Sequence, residues 1–137
     1  MSCVFCDIAA GKVAADIVWR GETGLAFLDH RPLFPGHVLL IPAGHVQTLA
    51  DLPASEIPAL FGAAQKLQKA VETALEAEGS FVAINNRVSQ SVPHLHVHIV
   101  PRSKGDGLKG FFWPRRSYTS DDHLRETAEK IRSLMIG

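Results

Sequence analysis

The chain has 137 residues, with 14 Lys and Arg against 14 Asp and Glu, so its formal charge is zero with histidine neutral. That balance argues against an electrostatic grip on nucleic acid or on an anionic membrane. With 46% hydrophobic and 20% charged residues, the composition is that of a folded globular chain, and its length suits one domain, 1–137, rather than several.

The chain opens Met1-Ser2-Cys3-Val4-Phe5-Cys6, which lacks the basic and apolar regions of a secretory signal, and no apolar run approaches the roughly 18 residues of a spanning helix. The expected location is the cytoplasm, where Cys3 and Cys6 stay thiols or bind metal; two cysteines so close together are no disulfide framework. Short apolar runs at 17–20 and 25–29, separated by Gly21-Glu22-Thr23-Gly24, predict a β-hairpin whose glycines permit a positive φ. Pro32 and Pro35-Gly36 mark a loop, after which the continuous run Val38-Leu39-Leu40-Ile41, stopped by Pro42, predicts a central strand covered on both faces.

Beyond Pro53, Ile57, Leu60, Phe61, Ala64, Leu67, Val71 and Leu75 recur at steps of three and four between polar residues, the pattern of an amphipathic helix lying across the sheet. Ser55 is the expected N-cap, Pro58 falls in the first turn, and Gly79 suits a left-handed stop. A fourth strand at 81–84, a polar loop at 85–91 and a fifth strand at about 92–100, closed by Pro101, follow. The glycine-rich stretch 103–110 reads as a mobile loop, and Phe111-Phe112-Trp113 is aromatic enough to suggest an interface. Ser120 before Asp121 and Asp122 predicts a last helix with Leu124, Ala128, Ile131 and Met135 on one face. The order predicts an α+β fold: a mostly antiparallel five-stranded sheet, one long central helix and a C-terminal helix.

The seven histidines are the compositional oddity. In His94-Leu95-His96-Val97-His98-Ile99-Val100, polar and apolar residues alternate, so on a strand the three imidazoles share one face, about 7 Å apart, and Leu95, Val97 and Ile99 the other. Three readings follow. The row is a polar sheet face that happens to use histidine; or a metal site, for which there is no obvious carboxylate partner downstream; or a nucleophile for phosphorus, since an ordinary imidazole is largely unprotonated near pH 7.

The run Gln90-Ser91-Val92-Pro93-His94-Leu95-His96-Val97-His98-Ile99-Val100-Pro101 resembles the signature of the histidine triad (HIT) family, three histidines alternating with apolar residues behind a Gln-Ser/Thr-Val lead-in. Cys3-Val4-Phe5-Cys6-Asp7-Ile8, Leu25 to Asp29 and Pro35 to Pro42 extend the resemblance over roughly residues 3 to 102, leaving 103–137 as an extension. It implies that His96 attacks the α-phosphate of a purine nucleotide and that water hydrolyses the nucleotidyl-histidine. His98 and Ser91 would stabilise charge on the phosphate and leaving group. His94 completes the triad, Gln90 matches the lead-in glutamine, and Asn85 falls where an asparagine reaches the phosphate. Asp29 would accept from the ribose hydroxyls, and Val4, Phe5, Ile8, Leu28 and His30 would enclose the purine.

Plainer roles exist for several of these residues: Phe5, Ile8 and Leu28 as core, Asp29 as a turn residue, Ser91 and Asn85 as partners of loop backbone. Two departures from the family stand out. The loop Asn86-Arg87-Val88-Ser89 lacks the glycines that let backbone N–H groups approach phosphate, which makes Arg87 a candidate added cation. The chain also runs past Trp113-Pro114 into a helix, unlike the compact Hint branch.

The resemblance to zinc-bearing bacterial members further implies that Cys3, Cys6, His45 and His94 hold a closed, structural zinc ion, with no metal needed for chemistry. Packing and a redox pair are the other readings of the two cysteines. A homodimer is also implied. The expected activity is a nucleotide hydrolase or transferase, with phosphoramidate hydrolysis ahead of dinucleoside polyphosphate cleavage. The competing classes are a non-catalytic, zinc-stabilised nucleotide-binding module and a zinc hydrolase using all three imidazoles.

Overall fold

A computed structural model describes residues 2–108 and 115–135. Its elements are α1 (Val4–Ala9), β1 (Ile17–Arg20), β2 (Gly24–Leu28), β3 (Val38–Pro42), α2 (Ile57–Ala74), β4 (Gly79–Ile84), β5 (Val97–Arg102) and α3 (Asp121–Leu134). The five strands form one antiparallel sheet in the order β1-β2-β3-β5-β4, the expected α+β class. No helix among the described residues is long and apolar enough to cross a membrane. The residues group into two compact units that meet between Asp106 and Gly107. The predicted aromatic interface, Phe111 to Trp113, lies outside the described residues.

β3 is the central strand and is buried along its whole length, because its alternate side chains face two different cores. Val38 and Leu40 join Leu95, Val97, Ile99 and the buried stripe of α2, Leu60, Ala63, Ala64, Leu67 and Val71. Leu39 and Ile41 join Leu25, Phe27 and, from α1, Phe5 and Ile8 on the other face. One side of the sheet is therefore closed by a long helix. The other carries, within the first unit, the short helix α1, and that asymmetry leaves room for a site.

Several sequence expectations are corrected. α1 was not anticipated, since six residues are too few for a periodic signal. Neither hairpin glycine adopts a positive φ; they are there for space, since a Cβ on Gly21 would meet the Trp19 ring at 2.3 Å and one on Gly24 the Ile41 carbonyl oxygen at 2.5 Å. Ser55 does not cap α2, whose entry is a 3₁₀ turn over Ala54–Glu56. The left-handed residue after α2 is Glu76 (φ 52°), while Gly79 already begins β4. Ile57, Phe61 and Leu75, expected on the buried face, are exposed.

The largest correction concerns the fifth strand, which spans Val97–Arg102, so His94 and His96 precede it and Pro101 lies inside it. Among the described strands, β5 pairs with β3 only as far as Ile99 and with β4 to its end, so Pro101 stands where one ladder has stopped. Leu95 bonds to Val46 instead, its N–H donating to that carbonyl at 2.7 Å, and it packs in the core with Val97 and Ile99 while His94 and His96 both face Phe5. The expected alternation thus survives without the ladder.

In the second unit, α3 begins as expected: the Ser120 hydroxyl accepts the His123 N–H at 3.0 Å, and Asp121 and Asp122 sit at its positive end. Its apolar residues Leu124, Ile131 and Met135 are exposed.

The Gly24 contact gives a stability test. Gly24→Ala must push β2 from β3, because the opposing atom is backbone, and should cost about 1–3 kcal/mol, read as a lower Tm. Gly44→Ala, with open space at its Cβ, should leave Tm near the wild type. Equal values for the two variants would contradict the register.

Candidate active site

Between α1 and the sheet face formed by β2, β3 and β5 lies a cleft of about 610 Å³, within the usual range for small-molecule sites. Val4, Phe5, Ile8, Leu28, Asp29, His30, Ser91, His96 and His98 all line it, together with residues not anticipated as lining, among them Asp16 and Arg31. Asn85 and Gln90 are not among the lining residues. The Gln90 amide instead donates to the Gln47 carbonyl at 2.7 Å and accepts the Arg87 N–H at 2.9 Å. These bonds stitch the loop before the triad to the segment carrying His45.

That loop has the backbone the missing glycines would favour: Arg87 (φ 70°) and Ser89 (φ 60°) are left-handed, a conformation that costs a non-glycine residue about 1–3 kcal/mol. Arg87 lies outside the cleft lining. Its charge falls on Asp51, whose carboxyl is held below its usual range chiefly by hydrogen bonds from Thr48 and only then by Arg87.

The three triad histidines are on one side, as expected, but in different surroundings. The ring centroids of His96 and His98 are 4.9 Å apart, closer than the strand repeat because the rings lean together. His96 lines the cleft while only 3% exposed. Its Nδ1–H donates to the His94 carbonyl at 2.7 Å, since a carbonyl can only accept. The tautomer is thereby fixed, and Nε2 keeps a free lone pair. Phe5 meets the ring edge-on at 5.1 Å.

His98 is oriented by a residue that sequence reasoning did not single out. The Leu33 N–H donates to Nδ1 of His37 at 3.1 Å, so the His37 proton is on Nε2, which donates to Nδ1 of His98 at 3.0 Å. The one N–H of His98 is therefore on Nε2, the nitrogen left for the cleft. Burial, then the neighbouring His96 and His37, push His98 down to about 4, and burial likewise lowers His37, so both rings are neutral at pH 7 and the relay of single protons holds. The available signal was a histidine just before a fully apolar strand.

Asp29 borders the relay. Its Oδ1 accepts the Arg31 N–H at 2.9 Å, and its Oδ2 lies 3.8 Å from Nδ1 of His37. The carboxylate is thus fixed by a tight turn while it lines the cleft, so the turn does not take it out of the cleft.

His94 is fully buried and does not line the cleft. Its Nε2–H donates to the Pro42 carbonyl at 2.9 Å, and its Nδ1 lies 3.5 Å from both Sγ of Cys3 and Sγ of Cys6. Sγ of Cys6 is 3.4 Å from Nδ1 of His45, and the four ligand atoms all lie within 4.8 Å of one another. In a tetrahedral zinc site with Zn–S about 2.3 Å and Zn–N about 2.05 Å, the S···N edge is about 3.6 Å, so the residues fit such an ion. The bond to Pro42 leaves the correct nitrogen bare, as outer partners of metal-binding histidines do. A reactive redox pair is not favoured: burial and Cys3 push the Cys6 thiol up, away from thiolate.

A HIT domain model matches residues 10–105. The chain belongs to the HIT family. Among curated HIT relatives, the bis(5′-nucleosyl)-tetraphosphatase (asymmetrical) of Schizosaccharomyces pombe is 41% identical over 96 residues, covering 69% of this chain but 53% of that enzyme. The chain thus matches about half the length of that relative. The adenosine 5′-monophosphoramidase of Candida albicans is 31% identical over 137 residues, covering 96% of this chain and 90% of that one. A HIT family crystal structure from Bacillus subtilis superposes with a TM-score of 0.90 at 30% identity, covering 100% and 99% of the two chains. A zinc-bound histidine triad protein from Mycobacterium smegmatis does so at 0.74 and 34%, covering 98% of each. The HIT fold is thus shared over essentially the whole chain, and nucleotide hydrolases stand among the relatives.

The neutral imidazoles predict a pH dependence. The folded state holds His98 below its ordinary value of 6.5, so between that value and about 4 the unfolded chain binds more protons, and stability is full above the window and lost as pH falls through it. Tm should drop across this range, less steeply in His98→Asn. A wild-type Tm that is flat from pH 6.5 to 4 would contradict the buried neutral relay.

Proposed function

We propose that this HIT protein is a hydrolase of purine nucleotides acting at the α-phosphate through a covalent nucleotidyl-histidine on His96, with a phosphoramidate as the preferred bond. The observation that carries this reading is the free Nε2 of His96 at the wall of a nucleotide-sized cleft, its other nitrogen committed to the His94 carbonyl. The purine is held between α1, through Val4, Phe5 and Ile8, and Leu28 with His30. Asp29 accepts from the ribose hydroxyls, which places the 5′-phosphate toward the triad.

In the first displacement the Nε2 lone pair forms a bond to phosphorus as the bond from phosphorus to the leaving amine breaks, and the amine takes a proton from solvent. In the second, water attacks phosphorus, the P–N bond to His96 breaks, a proton returns to solvent and the nucleoside monophosphate is released. His98, with its only N–H at Nε2, and the Ser91 hydroxyl donate to phosphate oxygens as charge builds there. Because the His98 donor is preset by its relay, it needs no reorganisation at the moment of transfer.

Cleavage of a dinucleoside polyphosphate would use the same first displacement with a phosphate leaving group, and the similarity to the Schizosaccharomyces pombe enzyme supports it. The phosphoramidate reading is placed first because the Candida albicans relative matches over nearly its whole length. Cys3, Cys6, His45 and His94 are assigned a structural zinc ion. Its four protein ligands leave no open position for substrate, so catalysis belongs to His96, His98 and Ser91. The homodimer expected of the family belongs to the same reading.

In His96→Asn, turnover of adenosine 5′-phosphoramidate should fall by at least about 10³-fold while calorimetry still detects AMP binding. Undiminished turnover would remove His96 from the mechanism. Absence of turnover in the wild type on phosphoramidates, dinucleoside polyphosphates and nucleotidyl sulfates alike would favour the binding module. Freshly purified protein should carry about one zinc per chain; less than about 0.2, with no uptake on adding zinc, would contradict the metal assignment.

A further inference from the structure

α1 has only six residues, and its N-cap, Cys3, makes no side-chain capping bond. A helix this short does not persist on its own propensity. Two kinds of anchor hold it: the buried side chains of Phe5 and Ile8, and the thiols of Cys3 and Cys6, which bracket its first turn and approach Nδ1 of His94 at 3.5 Å. The residues that face the cleft, Val4, Phe5 and Ile8, are interleaved with the two cysteines in sequence. One wall of the base site is therefore built directly on the metal cluster.

We propose that Cys3 and Cys6 are positioning residues for base recognition: a metal ion on Cys3, Cys6, His45 and His94 fixes α1 as the purine wall, so that metal and nucleotide bind with positive coupling. The inference rests on the nucleotide-site reading above and adds to it a control that a purely structural pin would not have. With the ion bound, the wall is ordered before the nucleotide arrives. Without it, part of the binding energy of the base goes into ordering α1, and the apparent affinity drops by the fraction of molecules in which the wall is in place. Linkage then requires the nucleotide to tighten metal binding by the same factor. The ribose and phosphate contacts come from Asp29 on the β2–β3 connection, Ser91 on the loop before β5 and His98 on β5, all outside α1.

The test uses the full chain in its zinc-loaded form and after removal of zinc by a chelator, with folding of the stripped form checked by circular dichroism. Calorimetry with AMP and with ribose 5-phosphate separates the base from the rest of the ligand. AMP should bind about tenfold more weakly to the stripped protein, with ribose 5-phosphate unchanged. Zinc affinity, from competition with a chromophoric chelator, should rise by the same factor when AMP is saturating. Equal AMP affinity in both forms, or an equal loss for ribose 5-phosphate, overturns the proposal. Where the stripped protein does not fold, the zinc competition on loaded protein decides: a zinc affinity indifferent to AMP overturns it. AMP that binds without coupling removes this inference alone, whereas failure of AMP to bind the loaded protein removes the nucleotide site as well.

Discussion

The Nδ1–H of His96 donates to the carbonyl of His94 at 2.7 Å, and the chemistry proposed for the cleft depends on that bond. An imidazole with a free choice of tautomer would present a lone pair only part of the time. Here the choice is made by a main-chain atom that cannot donate. The carbonyl stays in place because the rest of His94 is held on two sides, by the Pro42 carbonyl at 2.9 Å and by the cysteine pair. No buried side-chain polar atom among the described residues lacks a partner, so the array has no slack through which the tautomer could change without cost.

The second half of the site works by the same logic with a longer relay. A loop N–H at Leu33 decides His37, and His37 decides His98. Burial keeps these rings neutral, which is why single protons can be counted through them. Had either ring been charged, both of its nitrogens would donate and the direction of the relay would be lost. The sheet makes this possible because β3 pairs Leu39 with His98 of β5, which brings the start of β3, and so His37, beside the triad.

The α+β class, all five strands, the long helix and the capped last helix were legible from period and punctuation, because each of those signals is local. The alternation of His94, His96 and His98 put the imidazoles on one side even though β5 begins only at Val97, because Leu95, Val97 and Ile99 are buried in the core on the other. What escaped was set by contacts across the fold. α1 depends on Phe5, Ile8 and the cysteines meeting distant partners. The hairpin glycines answer to the Trp19 ring and the Ile41 carbonyl rather than to φ. The relay through His37 requires β3 and β5 to be neighbours, which no local pattern states. Of the expected site residues, those in the cleft came from motif and spacing together, while Asn85 and Gln90 sit in a loop whose conformation, left-handed at Arg87 and Ser89, could not be read from residue types that normally avoid it.

Rapid-quench mass spectrometry of the wild-type protein turning over adenosine 5′-phosphoramidate examines the nucleophile itself. The proposed double displacement predicts a nucleoside monophosphoryl group on the peptide containing His96 within the first turnover, and net retention of configuration at phosphorus with a chiral substrate. Product formation with no protein-bound nucleotide and inverted configuration would mean direct attack by water, and would contradict the role given to His96.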